Sequence, residues 1–434
     1  MAPGSRPAVR LSRGKRICFS ALTLCLTLTA IELICRCTVI YLEHESQIEM
    51  REAQTSLASG GGLIGNATES IHPYLGWVLN PQVHPGSDLI GRHVPVNSLG
   101  FNDREHGIPK RNANKFIVGV TGGSVAWQSS VAGENTLIER LRQEPLFRNR
   151  EIQLIRLAMS GYKQPQQLMS LNYLLALGAE FDVVVNIDGY NEMALAVCEN
   201  EASGVFEAYP RMWQARVQDV VDPRIYSLSF RLLQIRADRQ RLASNLLKSP
   251  LRWSAAMNLL WYFRNQSLKQ QFIDMGVEIR THKHSQGFGF TAVGPSQLTP
   301  GDAGAYDDAA ALWRNCSRQM HRLCRGNGIA YVHVLQPNQY VPDSKPMNVT
   351  EREAAIYDGQ TYGKAVVEGY PLLIRQGAIL RGEGIAFHDL TRLFSQIDEQ
   401  IYVDLFCHYN QRGNDLLAEA VAEKIIDALK PLRP

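Results

Sequence analysis

The chain has 434 residues, of which 45% are hydrophobic and 20% are charged, and its formal net charge at pH 7 is +3. This composition is ordinary for a globular protein and excludes a largely disordered one, and the length allows one large domain or two smaller ones. The small net charge gives no indication of nucleic-acid binding, and without a fixed-period repeat solenoids and propellers are excluded.

The N-terminus has the pattern of a membrane anchor. Residues 1–16 carry five basic residues and no acidic one. Residues 17–42 follow as a mostly apolar run, longer than the roughly 20 residues that a helix needs to span a bilayer. Glu32 and Arg36 interrupt this run four residues apart, so they can neutralise each other on one helix face. The basic flank predicts a single-pass protein with a cytoplasmic N-terminus and the rest of the chain in the periplasm or at the cell surface.

A cleaved signal peptide is the alternative, because a basic segment before a short apolar run has the same pattern. No good A-x-A cleavage site follows the run, which favours an uncleaved signal-anchor at 17–42 behind the cytoplasmic tail. Residues 43–70 are polar and end in a Gly/Ser-rich stretch, and they predict a linker between the membrane and the domain. The turn-rich residues 71–114 predict an extended strap across that domain.

From Lys115 onward, short apolar runs alternate with segments of helical periodicity. Strands are predicted at KFIVGVTGG, EIQLIRLAMSG, DVVVNIDGYNE, IAYVHVLQPN and GIAFHDLT, and helices at GENTLIERLRQEPL, QPQQLMSLNYLLALGA and RGNDLLAEAVAEKIIDAL. This alternation predicts a mostly parallel sheet in a flavodoxin-like, three-layer α/β/α domain that spans 115–195 and 301–434. Functional groups gather at the carboxyl ends of the strands in such sheets.

Residues 196–300 interrupt the domain as an insertion. Its central part, residues 210–272, has 11 Lys/Arg against 3 Asp, and its apolar residues recur at helical spacing. Two interpretations are compatible with this composition. The segment is either a helical cap with a solvated basic face, or a lid that meets anionic lipid headgroups or an anionic polymer.

Chemically useful residues stand at the ends of three predicted strands and before the last predicted helix. Ser124 follows two glycines, Gly161 and Asn191 follow the next two strands, and Asp404 and His408 precede the final helix. A serine hydrolase needs a nucleophile, a base, a carboxylate that orients the base, and donors for an oxyanion. Each residue alone has an ordinary structural explanation as a turn, a cap or a buried histidine. The ordered set favours catalysis, because all of its members are expected at one edge of the sheet.

Four segments resemble, in order, the four blocks of the SGNH (GDSL-like) hydrolase family: TGGS, AMSGY, GYNE and HYNQRGNDLLAEAV. The segment HPYLGWVLNP and the later NSLGF also resemble the strap of membrane-anchored members. The resemblance implies that Ser124 is the nucleophile and His408 the base. It also implies that the backbone N–H of Gly161 and the side-chain amide of Asn191 bind the oxyanion.

The chain departs from the family pattern at two positions. Gly123 stands where the family usually has an aspartate, a substitution that membrane-anchored members often show. The family spaces its last aspartate and histidine as D-x-x-H, whereas this chain has DLFCH, with Asp404 one residue farther from His408. Asp404 is predicted to orient His408, and the alternative is a Ser–His dyad oriented by a backbone carbonyl. The resemblance covers about 115–192 and 326–430 and does not include the insertion.

The resemblance implies a membrane-anchored, extracytoplasmic serine esterase that hydrolyses O-acyl esters, acetyl or another short acyl group, on a carbohydrate or lipid. The alternatives are an O-acyltransferase that modifies an envelope polysaccharide with the same site, and a non-catalytic assembly protein with the same fold. No cofactor or metal is expected, because the sequence has no C-x-x-C pair or Cys/His ligand spacing. Cys316 and Cys324 are compatible either with one disulfide or with two buried thiols.

Overall fold

The computed structural model describes residues 12–41, 47–58, 68–105, 107–217, 223–281, 290–295, 302–357, 359 and 361–430. Along the chain the helices are α1 (Arg13–Tyr41), α2 (Gln47–Ala58), α3 (Ser124–Ala132), α4 (Glu134–Arg142), α5 (Gln166–Ala176), α6 (Tyr190–Leu195), α7 (Trp213–Arg216), α8 (Pro223–Lys248), α9 (Ala255–Thr281), α10 (Phe290–Val293), α11 (Asp302–Gly326), α12 (Val349–Ala355), α13 (Thr361–Gly382) and α14 (Gln411–Leu429). The strands are β1 (Glu69–His72), β2 (Gly76–Leu79), β3 (Ser87–Leu89), β4 (Arg92–Val94), β5 (Lys115–Gly122), β6 (Glu151–Arg156), β7 (Val183–Asp188), β8 (Ala330–Leu335) and β9 (Ala386–Asp389).

The chain divides into two compact units. The smaller contains Met1–Ile64 and Ser227–Ile279, and the larger contains Gly65–Tyr226 and Arg280–Pro434. The larger unit is built on a five-stranded parallel sheet in the order β6-β5-β7-β8-β9. All six residues of the central strand β7 are buried, as expected for a parallel strand covered on both faces.

Helices cover both faces of this sheet. One face carries α3, α4 and α14, and the other carries α5, α11 and α13. This arrangement confirms the predicted three-layer α/β/α fold. The sequence did not predict α3, because nearly all of its residues are buried and no polar face marks the helical period.

The predicted strap contains two antiparallel hairpins, β1–β2 and β3–β4, and it is fastened to the sheet by a buried ion pair. Asp103 accepts hydrogen bonds from the backbone N–H of Arg156 at 2.8 Å and from its guanidinium at 3.1 Å. The two side chains are 0% and 3% exposed. Arg156 also donates to the carbonyl of Ser130 at 2.7 Å, and the Trp127 indole donates to Asn102 at 3.0 Å. The strap is thereby joined to β6 and α3.

The smaller unit consists of α1, α2 and α9 with most of α8. One stretch of α1, Arg13–Val39, is long and apolar enough to cross a membrane. Its Glu32 and Arg36 form the ion pair that their spacing predicts, with 3.5 Å between Oε1 and Nε. The predicted linker at 43–70 contains α2, and its residues 42–46 and 59–67 flank that helix outside the described residues. The long helices of the predicted insertion, α8 and α9, pack around Val39 with α1 and α2.

We expect Asp103→Ala to lower the free energy of unfolding by about 1–3 kcal/mol, because the guanidinium and the backbone N–H of Arg156 lose a buried hydrogen-bonding partner while Glu134, 3.1 Å from Nη2, remains paired with the charge. Thermal and denaturant unfolding of the full-length protein in detergent measures the change. Asp88→Ala is the matched control, since the Asp88 side chain is 83% exposed in its pair with His93, and its removal is expected to cost under about 0.5 kcal/mol. Equal stability of the two variants would contradict the fastening role of Asp103.

Candidate active site

The candidate nucleophile stands where β5 ends and α3 begins. Gly123 is in an extended conformation just before the helix, and Ser124 is the first residue of α3. The Ser124 hydroxyl oxygen lies 2.8 Å from Nε2 of His408, a residue 284 positions later in the chain. Both side chains are part-buried, so the pair is within hydrogen-bond reach and accessible from one side.

The loop before α14 brings Asp404 to the other nitrogen of the same imidazole. Its Oδ2 lies 2.6 Å from Nδ1 of His408. Its Oδ1 accepts the backbone N–H groups of Phe406 at 2.8 Å and His408 at 3.3 Å. Cys407 adopts a left-handed conformation with φ of 62°, and this turn absorbs the extra residue of the DLFCH segment. The longer spacing therefore does not separate the carboxylate from the imidazole.

The environment of Asp404 keeps its carboxyl group ionised. Burial works to raise the pKa of Asp404, but the hydrogen bond and charge of His408 and two backbone N–H groups outweigh it. The pKa is therefore held below its ordinary value. A carboxylate in this position fixes the ring orientation of His408.

The two remaining predicted residues, Gly161 and Asn191, come together at the segment that follows β6. Gly161 has φ of +85°, a conformation that favours glycine. The Asn191 amide donates to the carbonyl of Tyr162 at 2.7 Å. A Cβ atom on Gly123 would lie only 2.3 Å from the Asn191 amide nitrogen. This close approach explains why a glycine stands before Ser124, since no side chain fits there without displacing Asn191.

Glu192 is a buried positioning residue that the sequence analysis did not identify. One of its oxygens accepts from the backbone N–H of Gln164 at 3.1 Å and the side chain of Gln167 at 2.7 Å. The other accepts from the backbone N–H of Gly189 at 2.8 Å. Burial, together with the charge of Asp188, raises the pKa of Glu192 to about 8. The signal in the sequence was its place at the third position of a helix that begins after a glycine.

Arg211 lies against Gly161 and was also missed, because it stands in the predicted insertion among many other basic residues. Its Nε and Nη2 bind both oxygens of Glu199 at 2.7 and 2.8 Å. Its Cδ and Nη1 lie 3.3 and 3.6 Å from the place of a Cβ atom on Gly161. The Tyr362 hydroxyl donates to Glu199 at 2.6 Å, which holds the acceptor of this pair in place.

The segment that carries Arg211 is tied to the segment after Gly161. Lys163 is fully buried and its ammonium donates to the carbonyls of Glu207 and, at 2.7 Å, Tyr209. Burial lowers the pKa of Lys163 to about 8 despite nearby carboxylates that act to raise it. Asn200 donates to the Tyr209 carbonyl at 2.8 Å. The position of Arg211 beside Gly161 is therefore built into the larger unit.

A second Ser–His–Asp arrangement lies inside the larger unit. His333 has Ser317 Oγ 2.8 Å from Nδ1 and Asp188 Oδ1 2.9 Å from Nε2. Ser317 and His333 are both 0% exposed, so no substrate reaches them. The Trp313 indole also donates to Asp188 at 2.7 Å, as in an internally satisfied polar network. This arrangement is structural, and only the one that contains Ser124 opens to the surface.

Other features of the described residues lie away from Ser124. A cavity of about 750 Å³ lies at the amino ends of β8 and β9, at the opposite edge of the sheet. Within the described ranges, no group of three or more His, Cys, Asp or Glu side chains is arranged to hold a metal ion. Cys316 and Cys324 are buried free thiols, so the disulfide alternative is not adopted.

No protein-family model matches the chain, and the comparison with curated proteins gives no match. A protein from Bacteroides fragilis NCTC 9343, described as a "putative acylhydrolase", is 10% identical with a TM-score of 0.35, covering 75% of this chain and 92% of that chain. A "GDSL-like lipase" from Bacteroides thetaiotaomicron VPI-5482 is 11% identical with a TM-score of 0.33, covering 74% and 92%. At TM-scores this low, neither likeness supports a conclusion about fold or function.

We expect Gly123→Ala to slow labelling of Ser124 by a fluorophosphonate by on the order of 10²-fold, because the new methyl group displaces the Asn191 amide. Gel fluorescence of the full-length protein over a time course gives the rate. Gly382→Ala is the control, since no atom lies within 4 Å of a Cβ atom at that position. Unchanged labelling of Gly123→Ala would show that the amide position is unimportant for the reactivity of Ser124.

Proposed function

We propose that the protein is a membrane-anchored serine esterase of the SGNH (GDSL-like) type, acting on O-acyl esters outside the cytoplasm. The observation that carries this proposal is the continuous hydrogen-bonded chain from Asp404 through His408 to Ser124 at the carboxyl edge of the sheet. Neighbouring glycine and asparagine residues supply the other groups that ester cleavage requires.

In the proposed reaction, the Ser124 oxygen attacks the ester carbonyl while Nε2 of His408 takes the hydroxyl proton. Asp404 stabilises the imidazolium that forms and keeps the ring in place. His408 then returns the proton to the departing alcohol, leaving the acyl group on Ser124. Water attacks this acyl-enzyme, again with His408 as the base, and releases the carboxylic acid and free Ser124.

Three donors are proposed to bind the oxyanion. The backbone N–H of Ser124 has no partner inside α3, because it belongs to the first turn of that helix. The backbone N–H of Gly161 and the second N–H of the Asn191 amide complete the set, since Tyr162 occupies only one amide hydrogen. The amino end of α3 adds a partial positive charge that favours the developing negative oxygen.

The anchoring part of the proposal is supported by α1. Its 27-residue candidate span, Arg13–Val39, begins within the basic tail, and most of its side chains are exposed, as those of a lipid-facing helix would be. The proposed topology places residues 1–16 in the cytoplasm and the larger unit on the other side. The proposed substrates are short-chain acyl esters, acetyl above all, of a carbohydrate or a lipid.

Labelling by a fluorophosphonate and hydrolysis of an aryl acetate test the proposed function. The full-length protein is expected to do both, and Ser124→Ala is expected to lose both while its melting temperature is unchanged. Ser395→Ala serves as the control serine and is expected to behave as wild type. Failure of the wild-type protein to label or to turn over would overturn the esterase proposal. Release of the aryl alcohol only in the presence of a sugar acceptor, with the acetyl group recovered on the sugar and no free acetate, would identify acyl transfer to a hydroxyl instead of hydrolysis.

We propose further that Arg211 contacts the substrate beside the reacting carbonyl, since its guanidinium lies over Gly161. Arg211→Ala is expected to lower kcat/KM by on the order of 10–100-fold, the effect of losing a hydrogen bond from a charged donor. Arg211→Lys is not expected to restore activity, because a single ammonium cannot bind both Glu199 oxygens and also face Gly161. Arg412→Ala, in an exposed ion pair with Glu399, is the control and is expected to have no effect. Wild-type kcat/KM for Arg211→Ala would contradict the assignment.

A further inference from the structure

Within the smaller unit, the carboxylate of Glu32 in α1 caps the amino end of α9. Its oxygens accept hydrogen bonds from the Ser254 hydroxyl at 2.7 Å and from the backbone N–H of Ala255 at 2.5 Å. A third, from the backbone N–H of Ala256, is 3.3 Å long. Glu32 lies inside the stretch of α1 that is apolar enough to span a membrane. The turn between α8 and α9 is therefore fixed to the candidate membrane helix itself.

From this turn, α9 runs along α1 toward the carboxyl end of α1. Leu259 and Trp261 of α9 join Val39 in one buried apolar cluster. The segment from Ala255 to Trp261 therefore lies beside the segment of α1 from Glu32 to Val39, at the same height along the axis of α1. That segment of α1 is about 10 Å long at 1.5 Å per residue. When α1 spans a bilayer, the turn therefore lies about 10 Å before Val39, the end of the candidate span, inside the leaflet near its headgroup boundary.

The surface around this turn is apolar. Leu251, Trp253, Leu260 and Phe263, here called the turn patch, are between 53% and 64% exposed. Clusters of exposed large apolar side chains are uncommon on soluble surfaces and mark contact sites for other molecules or membranes. Tryptophan in particular is enriched at the membrane–water interface, where its ring is half in lipid and half in water.

Basic side chains lie beside the turn patch. The guanidinium carbon of Arg51 lies 3.5 Å from the centre of the Trp253 ring, and that of Arg252 lies 5.3 Å away. Lys248 is the last residue of α8, just before the turn. Cationic groups beside exposed aromatic and aliphatic side chains suit the phosphate level of a bilayer, where both kinds of group find partners.

We propose that the turn patch binds the phospholipid headgroup region of the leaflet from which α1 emerges. The proposal depends on the membrane anchoring in the proposed function and extends it from one helix to a second contact with the same bilayer. Of the two partners compatible with the composition of the insertion, the proposal selects lipid for this turn. Binding of an anionic polymer at the turn is the alternative. The chain is then held by a spanning helix and by an interfacial hairpin.

Quenching of tryptophan fluorescence by brominated lipids tests this proposal. The full-length protein is reconstituted in vesicles of phosphatidylcholine and phosphatidylglycerol, with the phosphatidylcholine brominated either close to the headgroup or near the chain end. Shallow bromines are expected to quench a fraction of the emission that disappears in Trp253→Phe. Trp213→Phe is the matched control, since this residue lies in the larger unit with its indole bonded to Thr291, and it should keep the quenched fraction.

Alkaline carbonate extraction of the same vesicles distinguishes failure of the proposed membrane anchor from failure of the proposed lipid contact at the turn. Retention of the protein with equal quenching of wild type and Trp253→Phe would overturn lipid contact at the turn and leave the anchor standing. Release of the protein by carbonate would overturn both the anchor and the contact that depends on it. Equal melting temperatures of the two variants are expected, because the Trp253 side chain is exposed and phenylalanine keeps its apolar character.

Discussion

The contact between the Asn191 amide and the backbone of Gly123 sets the geometry of the candidate site. It brings the end of β5 and the start of α6 so close that no Cβ atom fits between them. Tyr162 receives one hydrogen of that amide, so the segment after β6 is held in the same contact. Ser124 as the candidate nucleophile, Asn191 and Gly161 are therefore positioned by one another, and His408 contacts Ser124 from the loop before α14.

Buried ionisable groups stabilise this arrangement at a cost. Glu192 and Lys163 are both removed from water, and their shifted pKa values show how strongly burial opposes their charged forms. Each is the common hydrogen-bonding partner of separate loops. Glu192 joins the segments that follow β6 and β7, and Lys163 joins the first of these to the segment of Arg211. Polar groups of this kind fix a single geometry more firmly than apolar packing does.

The sheet and the candidate residues follow from the sequence because their signals are local. Apolar runs that end in glycine, asparagine or serine mark the strands and their carboxyl edge, and the parallel topology brings those ends together. The position of Asp404 was uncertain for a physical reason, since the left-handed turn at Cys407 is not visible in residue spacing. Arg211 and the partners of α9 depend on contacts between distant segments, which no local pattern records.

The cap that Glu32 forms on α9 has a consequence for how the chain is made. Its partner residue Ser254 lies 222 positions later. At a synthesis rate of about 5–20 residues per second, that partner is completed on the order of 10–40 s after Glu32 itself. During this interval the Glu32 carboxylate can already pair with Arg36, which lies one helical turn away in α1. In the proposed topology, α1 therefore enters the bilayer with an internal ion pair, and the turn between α8 and α9 binds Glu32 only after Ser254 has been made.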